Sequence, residues 1–361
     1  MRHLVQVAIL AGMATSACAA VAAGASSQAV GPAIDRPALT GAHPHRAVLL
    51  GAALAGPRIV AVGERGIILC SEDGGSNWKQ SKSPVSVTLT SVRFVNEKTG
   101  WAVGHGGTIL ATRDGANTWV RQLDGMKAAK LVLAQATARG NERAIKDAQR
   151  LVADGADKPF LDLHFFDDRR GLAVGAYNLA FATSDGGATW VPFSGLLDNP
   201  QAMHLYAVRA RGTTVVIAGE QGLVLLSGDG GASFRRIETP YAGTFFTAEL
   251  PKDGAVWLGG LRGNVWRSAD AGSSWQAMHG RGNAPTGASI TASALALDGT
   301  LLLASQSGQT LQAVGDSLRL RPGPPAGPVT ALLPLPDGRL LTLTLRGATV
   351  QAASDKASQH P

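Results

Sequence analysis

Apolar positions fall in short runs bounded by glycine, aspartate or asparagine over most of this chain, the pattern of strands in antiparallel sheets rather than of helices. One unit recurs: a run ending in small residues, a tight turn, then a second apolar run. It reads Ala61-Val62-Gly63-Glu64-Arg65-Gly66-Ile67-Ile68-Leu69, then Ala102-Val103-Gly104-His105-Gly106-Gly107-Thr108-Ile109-Leu110. Further copies cover 173–179, 218–225 and 258–265, and weaker ones 303–311 and 343–350. The turn residues at 66, 107, 178, 222, 263, 308 and 347 are spaced by 41, 71, 44, 41, 45 and 39 residues. Another candidate strand precedes each pair, as at 89–95 and 290–297, and a fourth follows, as at 118–122. Repeats in the forties built from four short strands predict an all-β protein, a seven-bladed β-propeller of four-stranded blades.

A second motif follows the turn unit in five repeats. It runs from Ser71 to Trp78 around Asp73, Thr112 to Trp119 around Asp114, Thr183 to Trp190 around Asp185, Ser227 to Phe234 around Asp229, and Ser268 to Trp275 around Asp270. A short carboxylate can accept the backbone N–H groups of its own turn, and glycine supplies the positive φ the turn needs. The aromatic residue then opens the outer strand and buries a ring against the next sheet. Repetition of one such device argues for a structural role for these residues rather than catalysis.

Blade geometry places these boxes on one face, as turns between third and fourth strands. Turns between second and third strands share the opposite face with the blade-to-blade crossovers. Glu64, Arg65, His105, Tyr177, Glu220, Gln221, Arg262, Gln306 and Arg346 are therefore expected around the mouth of the box-free face. Exposed turns carry polar residues anyway, but three arginines on one rim favour an anionic or peptide ligand.

The longest interval holds an insertion, 125–157, with helical periodicity. Ala144, Ile145, Ala148, Leu151 and Val152 make one stripe behind a cap at Asn141, and Met126, Ala129, Val132, Leu133 and Ala136 make another before Gly140. This predicts a helical hairpin between blades 2 and 3 that rises beside the rim, its apolar stripe packing on the propeller or, as the alternative, offering a partner-docking surface. Repeat 7 ends after its third strand, so residues 26–45 are read as a linker whose segment 34–39 is the nearest strand able to close the ring, although Pro37 suits only an edge. The propeller then spans 46–352, with a loose tail at 353–361.

Residues 1–25 read as an export signal: Arg2 and His3, an apolar stretch, then small residues offering Ala-x-Ala sites. An exported, periplasmic protein is expected; an uncleaved anchor, or lipid attachment at Cys18, is the alternative. Loss of Cys18 would leave Cys70 without an intramolecular partner among the two cysteines. The formal net charge of +7 favours an anionic partner or membrane surface. No basic tract interleaved with aromatics points to nucleic acid. The eight histidines show no ligand spacing, so neither a metal nor another cofactor is expected.

The boxes resemble the Asp-box, or sialidase-type, repeat. Coupled to the Val-Gly-x-x-Gly turns they make the chain similar, over about residues 46–350, to the photosystem II stability and assembly-factor propellers. Ala116, Ala271 and Asn178 stand where glycine is usual, and repeats 6 and 7 carry no box. The resemblance implies a monomeric, non-enzymatic scaffold that binds a protein, a subunit of a membrane complex, with peripheral membrane contact. Glycan hydrolysis or glycan binding is the alternative. Against it, a sialidase needs an arginine triad and a tyrosine nucleophile, and only Tyr177 of three tyrosines is placed near the mouth. Glu64 and Glu220 belong to blades 1 and 4, too far apart for a glycosidase pair.

Overall fold

The structure is a computed structural model and describes residues 31–41, 44–280, 287–323 and 327–353; the expected export signal, Cys18 and the tail beyond 353 lie outside them. Seven antiparallel sheets follow one another as meanders. Blade 1 is representative, with strands Leu49–Ala55, Arg58–Gly63, Ile68–Ser71 and Lys79–Gln80. Blades 2 to 5 repeat this four-stranded order. Blade 6 adds a fifth strand, His279–Gly280, parallel to its outer strand. Among the described residues blade 7 has three, Val329–Pro334, Leu340–Thr344 and Gly347–Gln351.

The second strand of a blade is apolar on both sides because both faces of each sheet are covered. All of Gly100–Gly104, Gly171–Gly175, Val256–Gly260 and Leu340–Thr344 are buried. The core is accordingly divided into interfaces between neighbouring blades. Trp101, stacked at 3.5 Å on Phe165, joins blades 2 and 3. Leu49, Ile59 and Leu69 meet Leu341 and Leu343 and join blade 1 to blade 7.

This last interface closes the ring, and the expected closing strand is corrected by it. Within 34–39 no strand forms: Ala33–Asp35 is a single 3-10 turn. Ala33 O accepts Ser86 N at 2.8 Å, Ala38 N donates to Ser83 O at 3.1 Å, and Arg121 Nη1 donates to Ile34 O at 2.6 Å, so the segment lies over blades 1 and 2. Pro37 offers no N–H to a ladder, and side-by-side packing of blades 7 and 1 needs none. Thr330 Oγ1 donates to Leu49 O across the same seam.

The Val-Gly signature has a steric cause. A Cβ on Gly63 would lie 2.0 Å from Val48 O, where the chain crosses over to enter the blade, and the same contact would arise at Gly104, Gly175, Gly219 and Gly260. The turn that follows has two consecutive left-handed residues, Arg65 at φ 54° and Gly66 at φ 73°, closed by Ile67 N to Glu64 O at 3.0 Å. That is the type I′ hairpin, whose twist matches the flanking strands.

The insertion forms α1 (Gly125–Arg139) and α2 (Glu142–Asp154). Asp124 and Asn141 cap them by accepting Lys127 N at 2.9 Å and Ala144 N at 3.0 Å, and Gly140 ends α1 in the left-handed region. Ala128, with Leu131 and Val132, packs into the interface of blades 2 and 3. The apolar side of α1 therefore covers the propeller. No described helix is long and apolar enough to cross a membrane.

Candidate functional site

Each Asp box is closed upon itself. In the third, Thr183 Oγ1 donates to Asp185 Oδ1 at 2.9 Å and accepts Gly187 N at 2.8 Å. Thr189 donates its N–H to Oδ1 at 2.9 Å and its hydroxyl to Oδ2 at 2.6 Å. The same set recurs around Asp114, Asp229 and Asp270, and Asn77 supplies the donors for Asp73. These bonds favour the ionised form and pull Asp73, Asp185 and Asp270 down to about 2, with Asp114 and Asp229 also lowered. Trp119 and Trp190 are buried, and Phe234 stacks on Phe193 at 5.8 Å. Trp78 and Trp275 are partly buried against neighbouring clusters.

The opposite face is fixed by a bond repeated in six blades. Glu64 N donates to Val48 O, His105 N to Thr88 O, Ala176 N to Pro159 O, Glu220 N to His204 O, Leu261 N to Thr244 O and Gln306 N to Ser289 O. In these six blades the second-to-third-strand turn is thus tied to the crossover entering its own blade, and both occupy one face; in blade 7 a Cβ on Gly347 would lie 2.1 Å from His45 O. α1 rises beside it, its Gly125 Cα 2.5 Å from where a Cβ on Gly107 would lie.

On this face Arg65, His105, Tyr177, Gln221, Arg262, Gln306 and Arg346 are exposed. Arg65, Arg262 and Arg346 form no ion pair among the described residues. Glu64 and Glu220 are engaged otherwise: their carboxylates accept the N–H of Val48 at 3.1 Å and of His204 at 2.7 Å, pinning the crossover. Glu220 also meets His204 Nδ1 at 2.8 Å, and His204 stands edge-on to Tyr177 at 4.6 Å. Lys158, held by Asp157 at 2.7 Å, lies 5.0 Å from the Tyr177 ring centroid. The structure therefore joins Tyr177 and Glu220 through His204 and sets Lys158 against Tyr177, two residues the sequence reading missed.

The turns lie one strand outward from the channel, so they form an outer ring and not the mouth itself. The wall of the channel belongs to the first strands. In each of the seven, the register slips by one residue near the strand's start, at Leu50, Thr90, Leu161, Tyr206, Phe246, Thr291 and Thr330. Such bulges turn side chains out of the ladder, and these seven line a cavity of about 120 Å³. Below them runs a belt of charge. Asp162 accepts Ser91 Oγ at 2.9 Å, Val208 N at 3.1 Å and the Arg209 guanidinium. Arg209 Nε reaches Glu249 Oε1 at 3.5 Å, and Ser293 Oγ donates to the same oxygen at 2.8 Å. Arg93 approaches Asp162 only at 3.8 Å.

Burial opposes the charge of Asp162, but Arg209 and Arg93 outweigh it and hold the carboxyl below its usual range. His164 is pushed down to about 4 by burial and by the same two arginines. Partial covering of the His105 ring lowers its pKa as well. Among the described residues no group of three or more His, Cys, Asp or Glu could hold a metal ion. Cys70 is half-buried, its Sγ 3.3 Å from Ser81 Oγ, and burial raises its pKa.

Seven blades, self-closed Asp boxes on one face and an open polar rim on the other define an Asp-box β-propeller. The chain belongs to the photosynthesis system II assembly factor YCF48 family, whose model matches residues 76–158 and 148–309. It is similar to the photosystem II assembly lipoprotein Ycf48 of Synechococcus sp. (strain CC9902), with 31% identity over 119 residues, 32% of this chain and 36% of that protein. The match thus spans about a third of that relative's length. Among solved structures, YCF48 bound to D1 peptide superposes with a TM-score of 0.62 at 15% identity, covering 89% of this chain and 100% of the other. YCF48 from Cyanidioschyzon merolae gives 0.61 at 14%, covering 85% and 96%. The GH74 xyloglucanase from Xanthomonas campestris gives 0.63 at 11%, covering 88% of this chain and 53% of the other. At these identities the superpositions establish the fold.

Proposed function

We propose that this protein is an exported, non-catalytic propeller that binds a segment of a membrane-complex subunit with its box-free face and assists assembly or stability of that complex. Membership of the YCF48 family carries the reading, and a solved member with this fold is bound to a D1 peptide. The rim supports it physically. Arg65, Arg262 and Arg346 are exposed guanidiniums without an ion pair among the described residues, suited to carboxylates of a client. Tyr177 is 59% exposed and Leu345 49%, giving an anchor ring and an apolar contact on the same rim. The relative from Synechococcus is named a lipoprotein, which favours placement at a membrane surface, by signal retention or through Cys18. The chain acts as a monomer in this reading.

Three carboxylates on the channel and rim speak against the glycosidase alternative. A general acid needs a raised carboxyl pKa, whereas Asp162 in the channel is held ionised and Glu64 and Glu220 hold backbone N–H groups. The test is affinity purification with crosslinking from membranes of the source cells. A specific complex subunit should be recovered with the native chain and lost with the triple substitution Arg65→Ala, Arg262→Ala and Arg346→Ala. Cleavage of a fluorogenic glycoside that depends on Glu64 or Glu220, with no co-purifying subunit, would sink the reading.

A further inference from the structure

The channel wall mixes polar and apolar side chains. Its charged and hydroxyl groups Arg93, Asp162, Arg209 and Ser293 come from blades 2, 3, 4 and 6, and blades 7 and 1 contribute Leu332, Ala331, Leu50 and Ala52 beside Thr330. The acidic groups are already engaged. Asp162 holds Ser91, Val208 N and Arg209, and Glu249 holds Arg209 and Ser293. Arg209 directs its donors to Asp162, Glu249 and Val208 O.

Arg93 is different. Its guanidinium lines the cavity and donates no hydrogen bond to any described residue, the nearest carboxylate oxygen being 3.8 Å away. It also stands beside the Arg209 cation, which disfavours its charge. A fork of donors next to a second cation, in a partly desolvated cavity, is a carboxylate receptor. An ammonium would stand against the Arg93 and Arg209 cations. A phosphate would bring more than one charge to a single open guanidinium and leave the apolar wall unused.

We propose that the central channel binds a small monocarboxylate with a short aliphatic chain, the carboxylate on Arg93 and the chain along Leu50, Ala52, Ala331 and Leu332. A cavity of about 120 Å³, several times the roughly 10–15 Å³ that a single water requires, leaves room for a short acid and little more. The site is independent of the rim and of the client proposed for it.

Titration calorimetry and thermal unfolding of the purified exported chain, at fixed ionic strength, test the assignment with butyrate, butanol, butylammonium and inorganic phosphate as probes. Butyrate is expected to bind saturably and raise the unfolding temperature, while the other three do not. Affinity should rise with chain length and collapse once the acid outgrows the cavity. Arg93→Gln should weaken butyrate at least tenfold, and Arg65→Gln on the rim should leave it unchanged. Should Arg93→Gln fail to fold, Leu50→Trp fills the cavity from the apolar wall and should abolish binding with Arg93 intact. Equal responses to butyrate and butanol, an undiminished affinity in Arg93→Gln or Leu50→Trp, or no saturable response to any acid would overturn the proposal.

Discussion

Replacing Asp162 by alanine should be among the most damaging single changes in the molecule. The side chain is only 7% exposed and receives Ser91 Oγ, the backbone N–H of Val208 and the Arg209 guanidinium, itself 17% exposed. Removal strands a buried backbone donor and leaves two arginines facing each other without their shared counter-ion. Breaking a buried pair from one side costs about 3–5 kcal/mol. At roughly 2–4 °C per kcal/mol for a sizeable domain, the unfolding temperature should fall by on the order of 10 °C. Asp162→Asn keeps the shape and an acceptor for Val208 N but loses the charge, so its cost should be about half as large. Guanidinium unfolding followed by the fluorescence of the seven tryptophans measures both. A cost below about 1 kcal/mol for Asp162→Ala would show that solvent in the channel replaces the carboxylate, and the belt would lose its role in joining blades 2 to 6.

Stability should fall in two stages as pH is lowered. His164, with a folded pKa of about 4 against an ordinary value near 6.5, is neutral in the native state. Its contribution is present above about 6.5 and is lost as pH falls toward 4. The box aspartates, at about 2 for Asp73, Asp185 and Asp270, contribute above the unfolded value near 3.9, and that contribution disappears as pH falls through 2. Urea midpoints measured from pH 7 to 2 should show both declines, with His164→Gln removing the upper one; a flat profile between 4 and 2 would contradict the box geometry. Ala271 is an exposed left-handed alanine at φ 54°, so Ala271→Gly should stabilise by about 0.5–1 kcal/mol once the added freedom of the unfolded chain is subtracted. An unfolding midpoint that fails to rise would place the strain elsewhere.

The blade count was readable because both punctuating motifs answer local demands. Gly63 and its counterparts make room for a carbonyl about 2 Å from an imagined Cβ, and the box aspartates close their own turns, so each repeat carries its signature within a few residues. The helical hairpin was equally legible from Asn141, Gly140 and the apolar stripes. The closing strand was misjudged because segment 34–39 was taken as a partner for blade 7, whereas it lies over blades 1 and 2 and Leu341 and Leu343 bury directly against blade 1. The channel was missed for a different reason. Its charged residues come one per blade and form no local motif. A signal did exist: Arg93, Arg209 and Glu249 are each the fifth residue of their first strand, in 89–94, 205–211 and 245–249, and Asp162 is the third of 160–165, two residues earlier and so on the same side. A charge on one side of successive apolar strands marks a column facing one space.

Arginine serves opposite ends on the two faces. On the box face the guanidiniums are consumed in joining blades: Arg58 donates to Gly115 O of the next box, Arg113 to Gly186 O at 2.9 Å and Arg235 to Ala271 O at 2.7 Å. Gly186 O also receives Trp101 Nε1 at 3.2 Å and Gln122 Nε2 at 2.9 Å, so a buried carbonyl of one blade is clamped by three side chains of its neighbour. With two donors remaining, Arg113→Ala should cost only about 1 kcal/mol, and Arg113→Ala with Gln122→Ala appreciably more. On the rim, Arg65, Arg262 and Arg346 hold nothing together, and their loss should leave the unfolding midpoint within about 0.5 kcal/mol of native. Client capture and stability should therefore separate by face, rim arginines changing capture alone and box-face arginines changing stability alone. If a rim arginine shifted stability as much as Arg113, or Arg113→Ala abolished capture in a folded protein, the division of the propeller into a joining face and a binding face would be wrong.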